Sequence, residues 1–197
     1  MKFLLFIVFG IAAQMVSASS YRQLTVDELI THSELIFEGK VTNLSYKIPT
    51  DRDQIYTFVT FEIKELLKGT YGQSTLELRY PGGQMGNQID AVEDMVIPQP
   101  GQEGVYFVRS LTEHFIHPLT GWAQGQMLIV NQAGNRRLVS VEGNAIYSLT
   151  GPIARTKTEA PELNADVALG VVTGQQIEQA LSVQAFKNQL KSLTEPK

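Results

Sequence analysis

From Ile55 to Leu66 the chain alternates with a period of two. Thr57, Val59, Phe61 and Ile63 fall on one side of an extended backbone, and Tyr56, Phe58, Thr60 and Glu62 on the other. This predicts a long β-strand, and a strand with an apolar face must bury it in a layered fold. The neighbouring segments carry the same signature more weakly. Glu34 to Tyr46 is extended, with Leu35, Phe37, Val41 and Leu44 mixing both faces and Gly39 marking a bulge or bend. Ser74 to Tyr80 places Leu76 and Leu78 on one face and is stopped by Pro81-Gly82-Gly83.

Further on, Val105 to Arg109 reads as a short apolar strand, and Phe115 to His117 and Met127 to Val130 as two more. The last leads through the polar, glycine-containing stretch 131–135 into Arg137 to Val141 as a hairpin. Residues 81–104 lack periodicity and hold three prolines and five glycines, which predicts a long irregular loop of the kind often used for binding. Thr25 and Glu28 have capping-box spacing and open a short helix to about His32 that buries Leu29 and Ile30. Near the other end, Ile177, Ala180 and Leu181 share one side, whereas Val183, Phe186, Leu190 and Leu193 lie nearly opposite. That flip at Ser182 predicts two short helices or one helix gripped from two sides.

The order of these elements predicts a mainly β fold with peripheral helices. In detail it suggests a small OB-like Greek-key barrel, preceded by a short helix and followed by a helical tail.

Met1, Lys2, the apolar run Phe3 to Ala13 and the small residues of Val16-Ser17-Ala18 have the layout of a secretory signal peptide. The run is shorter than the roughly 20 residues of a membrane span. There is no cysteine behind it, hence no disulfide, thiolate nucleophile, zinc ribbon or lipid-attachment residue. The expected organisation is a signal peptide at 1–18, a barrel domain at 19–150, a linker at 151–171 containing Pro152 and Pro161, and a helical tail at 172–197. The expected location is bacterial, periplasmic or secreted, with no membrane span after cleavage. Sixteen Lys and Arg against 20 Asp and Glu give a net charge of −4 with no basic run, a poor match to nucleic acid.

The stretches Ser33 to Val41, Tyr56-Thr57 leading to Leu66-Leu67-Lys68-Gly69, Pro81-Gly82-Gly83, and Gly101 to Phe107 resemble an uncharacterised family of secreted bacterial proteins. More distantly, over roughly residues 24–130, their order is similar to the netrin-like domain of tissue inhibitors of metalloproteinases. The resemblance implies an OB-fold scaffold and a habit of binding other proteins. Those inhibitors chelate a target's zinc through an N-terminal cysteine, and this chain has none. Their inhibitory mechanism therefore does not transfer.

Few residues point to chemistry. Two imidazoles three apart, His114 and His117, could bind a transition metal if a carboxylate completed the shell, but on an extended segment they would point to opposite faces. Gly82 and Gly83 could cradle an anion with successive amides or simply turn the chain. Asp51-Arg52-Asp53 lacks the glycine and later glutamate of a calcium loop. Trp122, the only tryptophan, is either a recognition residue or a core residue. No Gly-x-Ser-x-Gly elbow or phosphate loop is present, and no cofactor is implied. The sequence thus favours a non-enzymatic module that binds a protein or envelope component through loop 81–104 and Trp122. Two alternatives stay open, a metal-binding protein or metal-dependent hydrolase using His114 and His117, and a structural accessory of an envelope assembly. Mass spectrometry of the exported protein should find a mature chain beginning at Ser19; retention of residues 1–18 would contradict the signal assignment.

Overall fold

The computed structural model describes residues 22–149 and 177–194. The expected signal peptide at 1–18, the expected linker at 151–171 and the start of the expected tail lie outside the described residues. Along the chain run α1 (Val26–Thr31), β1 (Leu35–Lys47), β2 (Tyr56–Lys68), β3 (Thr75–Pro81), β4 (Gly83–Met85), β5 (Gln88–Asp90) and β6 (Glu103–Val108). A 3₁₀ turn (Trp122–Gly125), β7 (Gln126–Gln132), β8 (Asn135–Ser140), a second 3₁₀ turn (Ile177–Gln179) and α2 (Val183–Thr194) follow.

The fold is mainly β. Six strands form one antiparallel sheet in the order β3-β2-β1-β6-β7-β8, and β4 pairs only with β5. After the meander β1-β2-β3, β6 returns to the free side of β1, which is a Greek-key arrangement. The expected barrel, however, does not close. Closure would require β3 to bond to the far side of the sheet, and there β8 is already covered by its own chain. Leu138 N–H donates to Leu181 C=O at 3.0 Å, and Ile146 and Asn144 complete the same edge. Among the described residues β3 is left with a free edge.

Two local expectations are corrected, and the expected break in the tail is present. Phe115 to His117 is not a strand but a series of bends, with only the single bridge Val108–Leu119 beyond it. Loop 81–104 is partly ordered, because Pro81 ends β3 and β4-β5 forms a hairpin inside it. The tail breaks into a 3₁₀ turn and α2, and Ser182 caps α2 by accepting the Ala185 N–H on its hydroxyl at 3.2 Å.

Alternation along β1 and β6 feeds two separate cores. Leu35, Phe37, Tyr106 and Val108 pack with Val59, Phe61, Leu76, Leu78 and Tyr80 on one side of the sheet. Ile36, Val105 and Phe107 pack with Leu29 of α1 and Phe186 and Leu190 of α2 on the other. Phe37, Phe61 and Tyr106 form an aromatic cluster with centroids 4.6–5.5 Å apart. The register of β1 against β2 shifts between Glu38 and Gly39, and a Cβ on Gly39 would sit 2.6 Å from the Phe37 ring. Only glycine fits that bulge. The capping box of α1 is formed, with Thr25 N–H donating to the Glu28 carboxylate at 2.9 Å, and the Lys68 ammonium donates to the carbonyls of Ile30 in the last turn and Ser33 just past it.

Helix α2 is pinned by charge as well as by burial. Glu38, almost fully buried on β1, accepts a 2.7 Å bond from Arg136 of β8 and contacts the Lys187 ammonium of α2, which also lies 2.6 Å from Glu65. Burial alone would raise the Glu38 carboxyl, but the hydrogen bonds from Lys187 and Arg136 hold it below its ordinary value of 4.5. Its contribution to stability is therefore complete above pH 4.5 and is lost as the pH falls through the lower folded value. Removing one partner of a buried pair is costly, so Lys187→Met should lose about 3 kcal/mol in urea unfolding at neutral pH. A loss indistinguishable from that of a surface lysine variant would refute this role.

Candidate functional site

The free edge of β3 has a defined phase. Ile63 N–H donates to Ser74 C=O and Gly82 N–H donates to Ile55 C=O, both at 2.8 Å, so the even-numbered residues 74–82 turn their backbone toward β2. Thr75, Glu77 and Arg79 turn theirs outward, and Pro81, with no N–H to satisfy, occupies the next outward position. Tyr71 donates to the Thr75 carbonyl at 3.2 Å. Among the described residues nothing bonds to the outward amides of Glu77 and Arg79.

Beside this edge lies a cleft of about 240 Å³, walled by Phe58, Leu76, Leu78 and Arg79 of the sheet and by Ser110, Glu113, His114 and Phe115 of the segment 109–118. That segment is rooted by Arg109 N–H donating to Pro118 C=O at 2.9 Å. The Glu34 carboxylate holds its near end, accepting the Leu111 N–H at 2.9 Å and the Ser110 hydroxyl at 2.8 Å, and these bonds keep the Glu34 carboxyl below the ordinary carboxylate range. Arg109 lies over the Phe115 ring at 3.7 Å. Across the cleft Arg79 rests over Tyr56 at 4.7 Å and pairs with Asp51 at 3.8 Å. The Ser110 hydroxyl donates to Glu34 and so helps to fix the near end of the segment.

The sequence candidates separate in space. His114 is exposed on the cleft wall, whereas His117 is buried at the root of the segment. There the imidazole stacks on Trp122 at 5.2 Å, meets Tyr80 edge-on at 5.3 Å, and accepts the Leu119 N–H on Nδ1 at 3.1 Å. Nδ1 is therefore unprotonated, and Nε2 is buried with no partner among the described residues. Burial pushes the His117 pKa down to about 4. Among the described residues no three His, Cys, Asp or Glu gather around a common point. Trp122 is half-buried with φ +58°, a left-handed conformation rare outside glycine, so its position is imposed by the surrounding packing. Gly82 and Gly83 lie at the corner between β3 and β4. The Gly82 amide is used by Ile55, and a Cβ on Gly83 would fall 2.6 Å from the Thr57 hydroxyl. They turn the chain, and Gly82 offers no free amide to an anion.

Glu34, Glu77 and Arg79 were not legible as site residues, since each becomes one only through the sheet edge and the loop that faces it. No protein-family model, no curated protein and no solved structure matches this chain.

The His117 contact gives a pH signature. The unfolded chain binds a proton on His117 near its ordinary 6.5 and the folded chain only near 4, so stability present above pH 6.5 is lost as the pH falls between the two. The loss across that interval should reach roughly 3 kcal/mol. His117→Phe should flatten this limb in urea unfolding measured from pH 7 to pH 4, and an unchanged limb would exclude His117 as its source.

Proposed function

We propose that this chain is an exported, non-enzymatic binding module that recognises a protein segment through the cleft between β3 and residues 109–118. The observation that carries this reading is the coincidence of an unpaired strand edge with a walled, partly apolar cleft. Recognition sites are typically concave, largely apolar, and equipped with a few placed polar groups. The Greek-key order of β1, β2, β3 and β6 is compatible with the scaffold that the netrin-like resemblance implies, and the signal-like residues 1–18 support export. A metal-dependent reading has less support, because His114 and His117 occupy different environments and His117 already uses Nδ1.

Peptides selected from a random display library on the purified mature chain should bind in this cleft. Glu113→Ala combined with His114→Ala should weaken them at least tenfold, whereas Met85→Ala with Ile89→Ala, on the β4-β5 hairpin outside the cleft lining, should not. Binders that respond only to the hairpin variant would move the site elsewhere, and the absence of any binder would overturn the reading.

A further inference from the structure

The phase of β3 restricts how the cleft can be filled. We propose that an extended peptide segment adds to the sheet as a strand along β3, bonding to the outward N–H and C=O groups of Glu77 and Arg79. This rests on the binding-module reading and specifies its mode. Unpaired edges are templates for an incoming strand, and natural proteins that do not use an edge cover it or blunt it with charges, bulges or proline; in β3 the proline stands only at the end, past Glu77 and Arg79. Here one edge of the sheet is covered and the other is not: β8 is capped by Leu181 and Ile146, while the outward amides of β3 find no partner among the described residues.

The chemistry of the incoming segment follows from the faces of β3. Leu76 and Leu78 point toward one side, where Phe115 and Pro118 continue the apolar wall. Glu77 and Arg79 point toward the other. An added strand therefore presents apolar side chains at alternate positions on the first side. On the second side the cross-strand neighbour of Glu77 within the sheet is Thr60, so among the described residues Glu77 has no cation opposite it, whereas Arg79 is held by Asp51 and Tyr56. Lys47 and Arg109 lie over the rings of Phe58 and Phe115. The partner strand thus carries a basic residue opposite Glu77, flanked by apolar ones.

A second copy of this chain is the competing occupant, since antiparallel self-pairing about Leu78 would set Glu77 opposite Arg79. The segment 109–118 disfavours it. A two-fold axis normal to the sheet would bring both copies of that segment to the same side of one junction, whereas a single extended peptide needs only the space beside β3.

The probe is an acetylated heptapeptide alternating valine and lysine, added to the ¹⁵N-labelled mature chain. Strand addition should shift the amide resonances of Glu77 and Arg79 and slow their hydrogen exchange at least tenfold. Methylating one alternate set of peptide nitrogens should weaken binding about tenfold or more, and methylating the other set should leave it unchanged, because only one set faces β3. Replacing the lysines with glutamates should also weaken binding, most strongly at low salt. Glu77→Pro removes one outward N–H and leaves the bonds to β2 in place, so it should lose the exchange protection at Arg79 while melting cooperatively. If both methylated peptides bind in the cleft like the parent, strand addition is wrong while the cleft reading survives. No binding of the parent peptide at millimolar concentration would likewise overturn the proposal. Concentration-dependent dimerisation that protects Glu77 without peptide would assign the edge to a second copy.

Discussion

Strand β1 is the element on which the other parts of the sheet depend. It is hydrogen-bonded along both sides, to β2 and to β6, and its consecutive residues Leu35, Ile36 and Phe37 enter opposite cores. A strand shared by two cores cannot slip by one residue without exchanging every side chain between them. Gly39 then lets β1 bend through its bulge, and Glu38 supplies the buried charge toward which Arg136 of β8 and Lys187 of α2 converge. The register of β1 and the docking of α2 are thus fixed at neighbouring positions of one strand.

The asymmetry of the two sheet edges follows from that arrangement. Once α2 is held over the helix-bearing face, the chain leading into it lies along β8, and Leu181 takes the Leu138 amide. The sheet therefore cannot close on itself, and β3 stays at its rim. The aromatic cluster of Phe37, Phe61 and Tyr106 fills the core on the face away from α1 and α2, so a closing strand is not needed to exclude water from it. Segment 109–118 is braced by Glu34, Arg109 and His117 into a wall beside the rim, and those contacts give the cleft its shape.

Much of the fold was legible because its causes are local. The alternation from Ile55 to Leu66, the Thr25–Glu28 capping box, the bulge at Gly39 and the break at Ser182 each have a physical origin within a few residues, and all four are present. The failures lie where distant contacts decide. Phe115 to His117 is apolar enough to read as a strand, yet His117 is drawn inward by Trp122 and the Leu119 amide, and the backbone bends to follow it. The strand order suggested a closed barrel, but closure depends on what reaches β8, and the residue that does so lies 43 positions beyond its partner.

The sequence by itself determined that this chain builds a mainly β, cysteine-free domain with a helix at each end, because periodicity, capping and glycine placement act over short distances. Only the tertiary structure decided which histidine is buried, which tryptophan face is covered, and which strand keeps a free edge. Glu77 and Arg79 are ordinary charged residues of an alternating strand when read in sequence. Their outward amides become a candidate recognition surface only because β8 is capped and β3 is not, and that outcome depends on the packing of the whole sheet.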